Sequence, residues 1–405
     1  MNTQPDWDDV DGEENSNPEE VRSVDITRTV VTDTDWTAET ILSQLRRGNI
    51  QLNPRFQRRD AWDKTRKSRF IESLILGLPI PQIVLAEDRN RRGKFIVLDG
   101  KQRLLTLQQF AVGSSISSAD SDSETLQGFG LTGLEVRSDL RLVTLKRLED
   151  SPELVDDLNA FLNQTIRTVV VRSWPNEEFL NLVFLRLNTG SVRLSPQELR
   201  QALHPGPFTD YLDDKASAST SLQKALRLDK PDFRMRDVEV LLRYFAFEFF
   251  LEDYSGNLKR FLDNTVNSLN DSWVECREKI EGLARSCEIA IETTFEVFGD
   301  QAFYRWSYGG YEGRFNRAVF DIMTFYFSKK DVREKVSGRE EFVRAAFERI
   351  CAGNRQFVES IQTTTKTTEA TQRRLSIWGQ ALGEAIEMDL SVPALVENRL
   401  VLPSE

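Results

Sequence analysis

The chain has 405 residues, enough for two or three domains of ordinary size and a sizeable core. Hydrophobic residues make up 40% and charged residues 29%, which excludes a wholly disordered chain. The net charge of −11 sits largely at the N-terminus: residues 1–21 hold eight carboxylates and no Lys or Arg, and without them the balance is −3. Between Arg46 and Arg103, 15 Lys/Arg face 6 Asp/Glu, so an acidic tail precedes a locally basic lobe.

Residue types exclude several chemistries. No apolar run approaches the ~18–20 residues of a membrane span, and the acidic N-terminus is unlike an export signal, so no membrane partner is expected. Cys276, Cys287 and Cys351 are odd in number and lack a CxxC spacing, which argues against a disulfide framework or a cysteine zinc site and fits a reducing cytoplasm. A single histidine, His204, leaves no HNH nuclease centre, no two-histidine zinc site and no Ser-His-Asp triad. What remains is carboxylate, Lys/Arg and backbone-amide chemistry, most naturally on phosphates with Mg²⁺.

In chain order, residues 1–23 read as an acidic disordered tail. Thr37 caps a helix with Ile41, Leu42 and Leu45 on one face, ending at Gly48. IQLNPRFQRRDAW reads as an extended arm because of Pro54, and a helix follows from Asp63 to Leu76. LPIPQIVLAE and KFIVLD read as strands joined by the basic hairpin tip RNRRG, and KFIVLD runs directly into the helix GKQRLLTLQQFAVG. Residues 113–130 read as a polar loop. IRTVVVRSW is a strand, NEEFLNLVFLRLN a helix capped by Asn176 and closing at Thr189-Gly190, and Ser195-Pro196-Gln197-Glu198 a capping box opening PQELRQAL. From about residue 207 the β signal fades. The stripe Leu241, Leu242, Phe245 and Phe249 reads as core, or as a seam to a second copy of the chain in a homo-oligomer.

Three places could carry chemistry. In VLDGKQRLLTL a strand delivers Asp99, Gly100 permits close approach, and Lys101 and Arg103 stand in the first helical turn. There, unpaired amides and the dipole favour an anion, here a phosphate. The bland alternative makes Asp99 an N-cap and leaves Lys101 and Arg103 solvated. The arm presents Arg55, Gln57, Arg58 and Arg59 beside Phe56 and Trp62, suited to phosphate or to a base edge, or merely packed by its aromatics. In FLRLNTGSVRLSPQELRQAL, Asn188 and Thr189 could face the phosphate, with Arg200 reaching it from a helix. Capping alone also accounts for Glu198 and for the turn. The aromatics Phe303, Tyr304, Trp306, Tyr308 and Tyr311 near Gly309-Gly310 read as a packed loop rather than a base-stacking surface. Lys366 and Arg373-Arg374 read as a solvated face.

Taken together, PRFQR…W, PIPQIVL, VLDGKQRLLTL and FLRLNTG…LSPQELRQAL resemble, in order and spacing, the N-terminal domain of GmrSD-type type IV restriction enzymes. The resemblance covers about residues 36–206. It implies an α+β architecture: a ParB/sulfiredoxin-like domain over residues 24–206, with a mostly α-helical C-terminal domain over 207–388 and a tail over 389–405. It also implies that the family's Asp-Gly-Gln-Gln-Arg stretch, linked to nucleotide binding and hydrolysis in defence against phage and modified DNA, falls on Asp99, Gly100, Lys101, Gln102 and Arg103. Lys101 stands where the family usually has Gln. Arg55, Gln57 and Arg58 would help line the site.

The expected protein is an NTP-binding and NTP-hydrolysing sensor in a restriction or phage-defence system. Asp99 and Arg103 would be its catalytic residues, and Asp99 would hold Mg²⁺ or order the attacking water. Enzymes of this type pair the domain with an HNH-like module, which one histidine excludes from this chain, so a separate nuclease or toxin subunit would act with it. The alternatives are a non-catalytic DNA- or partner-binding module, antitoxin-like or scaffolding, and a weak metal-dependent nickase.

Overall fold

The computed structural model describes residues 29–50, 52, 60–116, 127–187, 195–362, 366–397 and 399–403. The architecture is α+β, with a small mixed sheet in the N-terminal region and a helical C-terminal region. One compact unit ends at Leu203 and a second begins at His204. The acidic tail over 1–23 lies outside the described residues.

The first unit is built on strands β1 (Val30–Thr37), β2 (Ile83–Glu87), β3 (Phe95–Asp99) and β4 (Thr165–Arg172), in the order β1-β4-β2-β3. β2 runs parallel to β4, whereas β1–β4 and β2–β3 are antiparallel. Both central faces are buried, and the side-chain period of two divides them. Ile83, Leu85, Phe95 and Val97 join one core with helices α1 (Ala38–Arg46), α2 (Lys64–Ile75) and α3 (Lys101–Phe110). Val84, Ala86, Ile96 and Leu98 join the other core with Phe179, Leu180 and Leu199. These belong to α6 (Glu177–Leu187) and α7 (Pro196–Leu203), which follow the short helices α4 (Leu145–Asp150) and α5 (Val155–Asn163).

Local signals set most boundaries. Thr37 Oγ1 accepts from Thr40 N at 3.1 Å and Asp63 Oδ1 from Arg66 N at 2.7 Å, capping α1 and α2. Asn176 Oδ1 accepts from Phe179 N at 2.9 Å, capping α6. Ile41, Leu42, Leu45, Phe70, Ile71, Leu74 and Ile75 are all buried as their spacing requires.

Two stretches depart from expectation, and a third had no element assigned to it. β1 forms where only a helix cap was anticipated, its β-branched residues paired to β4. The polar loop ends in core: Phe129 is buried and its ring meets Phe110 at 5.8 Å; residues 117–126 lie outside the described residues. Residues 145–163 are largely helical; the segment before them is held by the Glu72 carboxylate, which accepts from the backbone N–H of Glu135, Val136 and Arg137 at 3.1, 2.8 and 2.7 Å.

The second unit is helical, with two hairpins that helical periodicity does not announce. β5 (Tyr304–Ser307) pairs β6 (Gly310–Phe315), and β7 (Ala394–Val396) pairs β8 (Arg399–Val401) inside the expected tail, with Leu400 fully buried. Leu241, Leu242 and Phe245 of α10 (Arg236–Phe250) are buried within the chain itself, after α8 (Pro207–Ala218) and α9 (Thr220–Leu226). Further helices include α11 (Leu258–Asp271), α12 (Trp273–Phe298) and α13 (Arg317–Phe327). Arg243 Nε donates to Asp321 Oδ1 at 3.0 Å, and Arg374, expected on a solvated face, is buried against the same carboxylate at 3.5 Å.

Glu248 of α10 accepts from Ser328 Oγ at 3.3 Å, and burial pushes its carboxyl up from the ordinary 4.5 to about 7, against the pull of Lys329 and Lys279. A raised carboxyl contributes stability that is complete below its unfolded pKa and is lost as pH rises through the folded one. Glu248→Gln, which mimics the protonated form, should therefore raise stability near pH 8 by up to about 3 kcal/mol. Thermal melts across neutral pH check this: the profile should flatten in the variant, and an unchanged slope would contradict it.

Candidate functional site

β3 delivers Asp99 at the point where its hydrogen bonding to β2 ends opposite Val84, and Gly100 then turns the chain into α3. Gly100 is the N-cap, at φ 95°, so Asp99 is not the cap that one sequence reading made it. A Cβ at Gly100 would meet Ile83 Cγ1 at 3.0 Å and Arg103 Nε and Nη2 at 3.3 Å. Glycine is therefore required twice, for the left-handed backbone and for the guanidinium folded over it. Gly100 has no side chain with which to cap α3, so the cap position itself offers no acceptor to the amides of the first turn.

Neither cation of that turn is solvated. Arg103, 6% exposed, donates through Nη2 to Asp99 Oδ2 and to Gln82 O, both at 2.9 Å. Its Nε is buried without a hydrogen-bond partner. Asp99 stays 21% exposed. Lys101 pairs with Glu198, with 5% and 4% of the two side chains exposed. Glu198 closes the capping box as well: Ser195 N donates to its Oε2 at 2.8 Å, and its own N–H donates to Ser195 Oγ at 3.1 Å. One carboxylate thus starts α7 and neutralises the lysine that starts α3.

The other side chains singled out in the sequence are placed as follows. Gln102 Oε1 accepts from Ala61 N at 3.3 Å, and Gln109 Nε2 donates to Asp60 Oδ2 at 3.2 Å. Asp60 is also paired with Lys67 of α2, so the C-terminal flank of the arm is pinned to both α2 and α3. Arg55, Gln57 and Arg58 lie outside the described residues, as do Asn188 and Thr189. Arg200 is buried, its Nη1 2.6 Å from Gln197 Oε1. Sequence reasoning did not foresee the Gln82 carbonyl, the Lys67–Asp60 pair or the Lys101–Glu198 contact, because each joins segments that local spacing cannot relate.

Two of the three cysteines are poor nucleophiles: burial pushes the Cys287 thiol up and that of Cys351 up to about 12. Among the described residues, no group of three His, Cys, Asp or Glu side chains assembles as a metal site, and no helix is long and apolar enough to cross a membrane.

The domain is thus an α+β unit whose most chemically equipped feature is an uncapped strand–Gly–helix turn holding a buried arginine. Residues 38–205 match the family model of the GmrSD restriction endonuclease, N-terminal domain. No curated protein and no solved structure matches the chain.

Removing the lysine from the buried pair should leave an uncompensated carboxylate. Lys101→Met is expected to cost about 3–5 kcal/mol. Adding Glu198→Gln should restore most of the loss, because Gln keeps the capping hydrogen bonds and carries no charge. Denaturant unfolding checks both; a double variant as unstable as the single one would contradict the pairing.

Proposed function

We propose that the protein is an NTP-binding and NTP-hydrolysing regulator of a DNA-restriction system, with phosphates held at the turn from Asp99 to Arg103. The observation that carries this reading is the Arg103 guanidinium, buried over Gly100 at an uncapped helix start with its Nε unpartnered. A phosphate there receives backbone N–H donors, the dipole of α3 and a fixed cation at one point. The match of residues 38–205 to a restriction-endonuclease domain supports the same class of role.

Each residue then has a stated task. The first-turn amides and Arg103 bind the phosphate oxygens, and Gln82 O with Asp99 fixes the orientation of the guanidinium. Lys101 contributes its backbone N–H, while its ammonium serves Glu198. Mg²⁺ accords with Asp99 as a single protein carboxylate, the remaining ligands coming from phosphates and water, as is usual for that ion. Asp99 would also orient the attacking water. Arg55, Gln57 and Arg58, from an arm whose flank is pinned to α3, would complete the lining. In this reading a separate nuclease subunit cuts DNA, and the nucleotide state of this chain controls it.

A second reading, a non-catalytic docking module, gains from the buried Lys101–Glu198 pair, which withdraws one cation from the phosphates. Titration of the full chain with ATP, GTP, CTP and UTP in Mg²⁺ separates the two. Arg103→Ala should lose about 1.5–3 kcal/mol of nucleotide affinity, roughly 10- to 150-fold. Asp99→Asn should keep binding and lose turnover. Binding without turnover in the parent chain favours the docking module, and Arg103→Ala binding as the parent does contradicts the site.

A further inference from the structure

The basic tip between β2 and β3 takes no part in the Asp99 site. In register, Val84 faces Asp99 and Glu87 faces Phe95. The tip therefore lies at the opposite end of β2, about 10 Å along the strand at the usual rise per residue. There, beyond the C-terminal ends of the parallel pair β2 and β4, a groove of about 590 Å³ opens between Glu87, Arg89, Arg92, Ser173 and Trp174. Ser173 holds φ at 52°, a left-handed value uncommon outside glycine, and turns the chain out of β4. Trp174 follows, its Nε1 donating to Glu87 O at 2.7 Å, and the Arg89 guanidinium stacks 5.1 Å from the centre of its ring.

The carboxylates of this end are already satisfied. Glu87 accepts from Gly93 N at 2.9 Å and faces Arg172 at 3.3 Å, and Asp88 pairs with Arg91 at 2.8 Å. Arg89 and Arg92 are exposed and have no carboxylate partner among the described residues. Arg46 and Arg47, exposed at the end of α1, are in the same condition. They belong to the same end, because Lys94 Nζ donates to Gly48 O at 3.0 Å and Phe95 N to Asn49 O at 2.7 Å. Four unpaired arginines and Lys94 thus share one rigid end of the sheet.

We propose that this end docks the phosphate backbone of duplex DNA. Uncompensated arginines on a rigid hairpin and helix end form the electrostatic footprint of phosphate contacts, which set position without reading sequence. The aromatic residue lining the groove, Trp174, is only 6% exposed and is covered by Arg89. It offers no open face on which unpaired bases could stack, so the surface suits a duplex rather than a single strand. The proposal does not rest on the nucleotide site.

The test is binding of the full chain to a labelled duplex of roughly 20 base pairs between about 50 and 200 mM salt. Arg89→Ala with Arg92→Ala should weaken binding at least tenfold at low salt, equally for unrelated sequences. It should also lower the slope of log affinity against log salt by about 1.8, the value for two lost phosphate contacts. Both side chains are exposed, so the melting temperature should stay at that of the parent. Nucleotide affinity is followed in parallel, so that failure here and failure at Asp99 are read separately. Parental affinity and slope in the double variant, no duplex binding by the parent, or tighter binding of a single strand of equal length would each overturn the proposal.

Discussion

The Lys101–Glu198 pair holds together two helix starts that lie 97 residues apart in the chain. A lysine in the first turn of α3 opposes the helix dipole, and a buried ammonium without a partner is costly. Glu198 removes both penalties, and it does so from the position where it also closes the capping box of α7. The neighbouring Asp99–Arg103 pair adds a second ion pair two residues further on, with the Gln82 carbonyl as third partner. The turn at Gly100 is therefore stiff before any ligand arrives, which is what phosphate binding by backbone amides requires.

This rigidity has a consequence for the chemistry. A lysine committed to a buried glutamate is a structural cation, whereas an arginine whose buried Nε has no hydrogen-bond partner, with a partly exposed carboxylate beside it, retains capacity for a ligand. In the proposed reading the functional weight of the segment therefore falls on Gly100, Arg103 and Asp99. The first-turn cations were treated alike in the sequence, and the fold separates them.

Much of the first unit was legible because its signals are local. Thr37, Asp63 and Asn176 are caps whose side-chain oxygens can be read at fixed offsets, and the continuous apolar runs in IVLAE and FIVLD match strands buried on both faces. The Ser195–Glu198 box was legible for the same reason. What escaped is non-local or short: the β1 edge strand, whose partner is over a hundred residues away, and the hairpins 304–315 and 394–401, too brief to interrupt helical periodicity. At the candidate site, the motif announced a strand–Gly–helix turn. The direction taken by Lys101 depended on Glu198, which nothing near residue 101 could reveal.

The central claim is that phosphates sit on the first turn of α3. Hydrogen–deuterium exchange of the full chain with and without each nucleotide in Mg²⁺ tests it most directly, because it reports on the amides of residues 100–103 themselves. The account predicts slowed exchange in that turn for at least one nucleotide and none in the Arg103→Ala chain. Unchanged exchange there with all four nucleotides, or protection confined to the second unit, would contradict it.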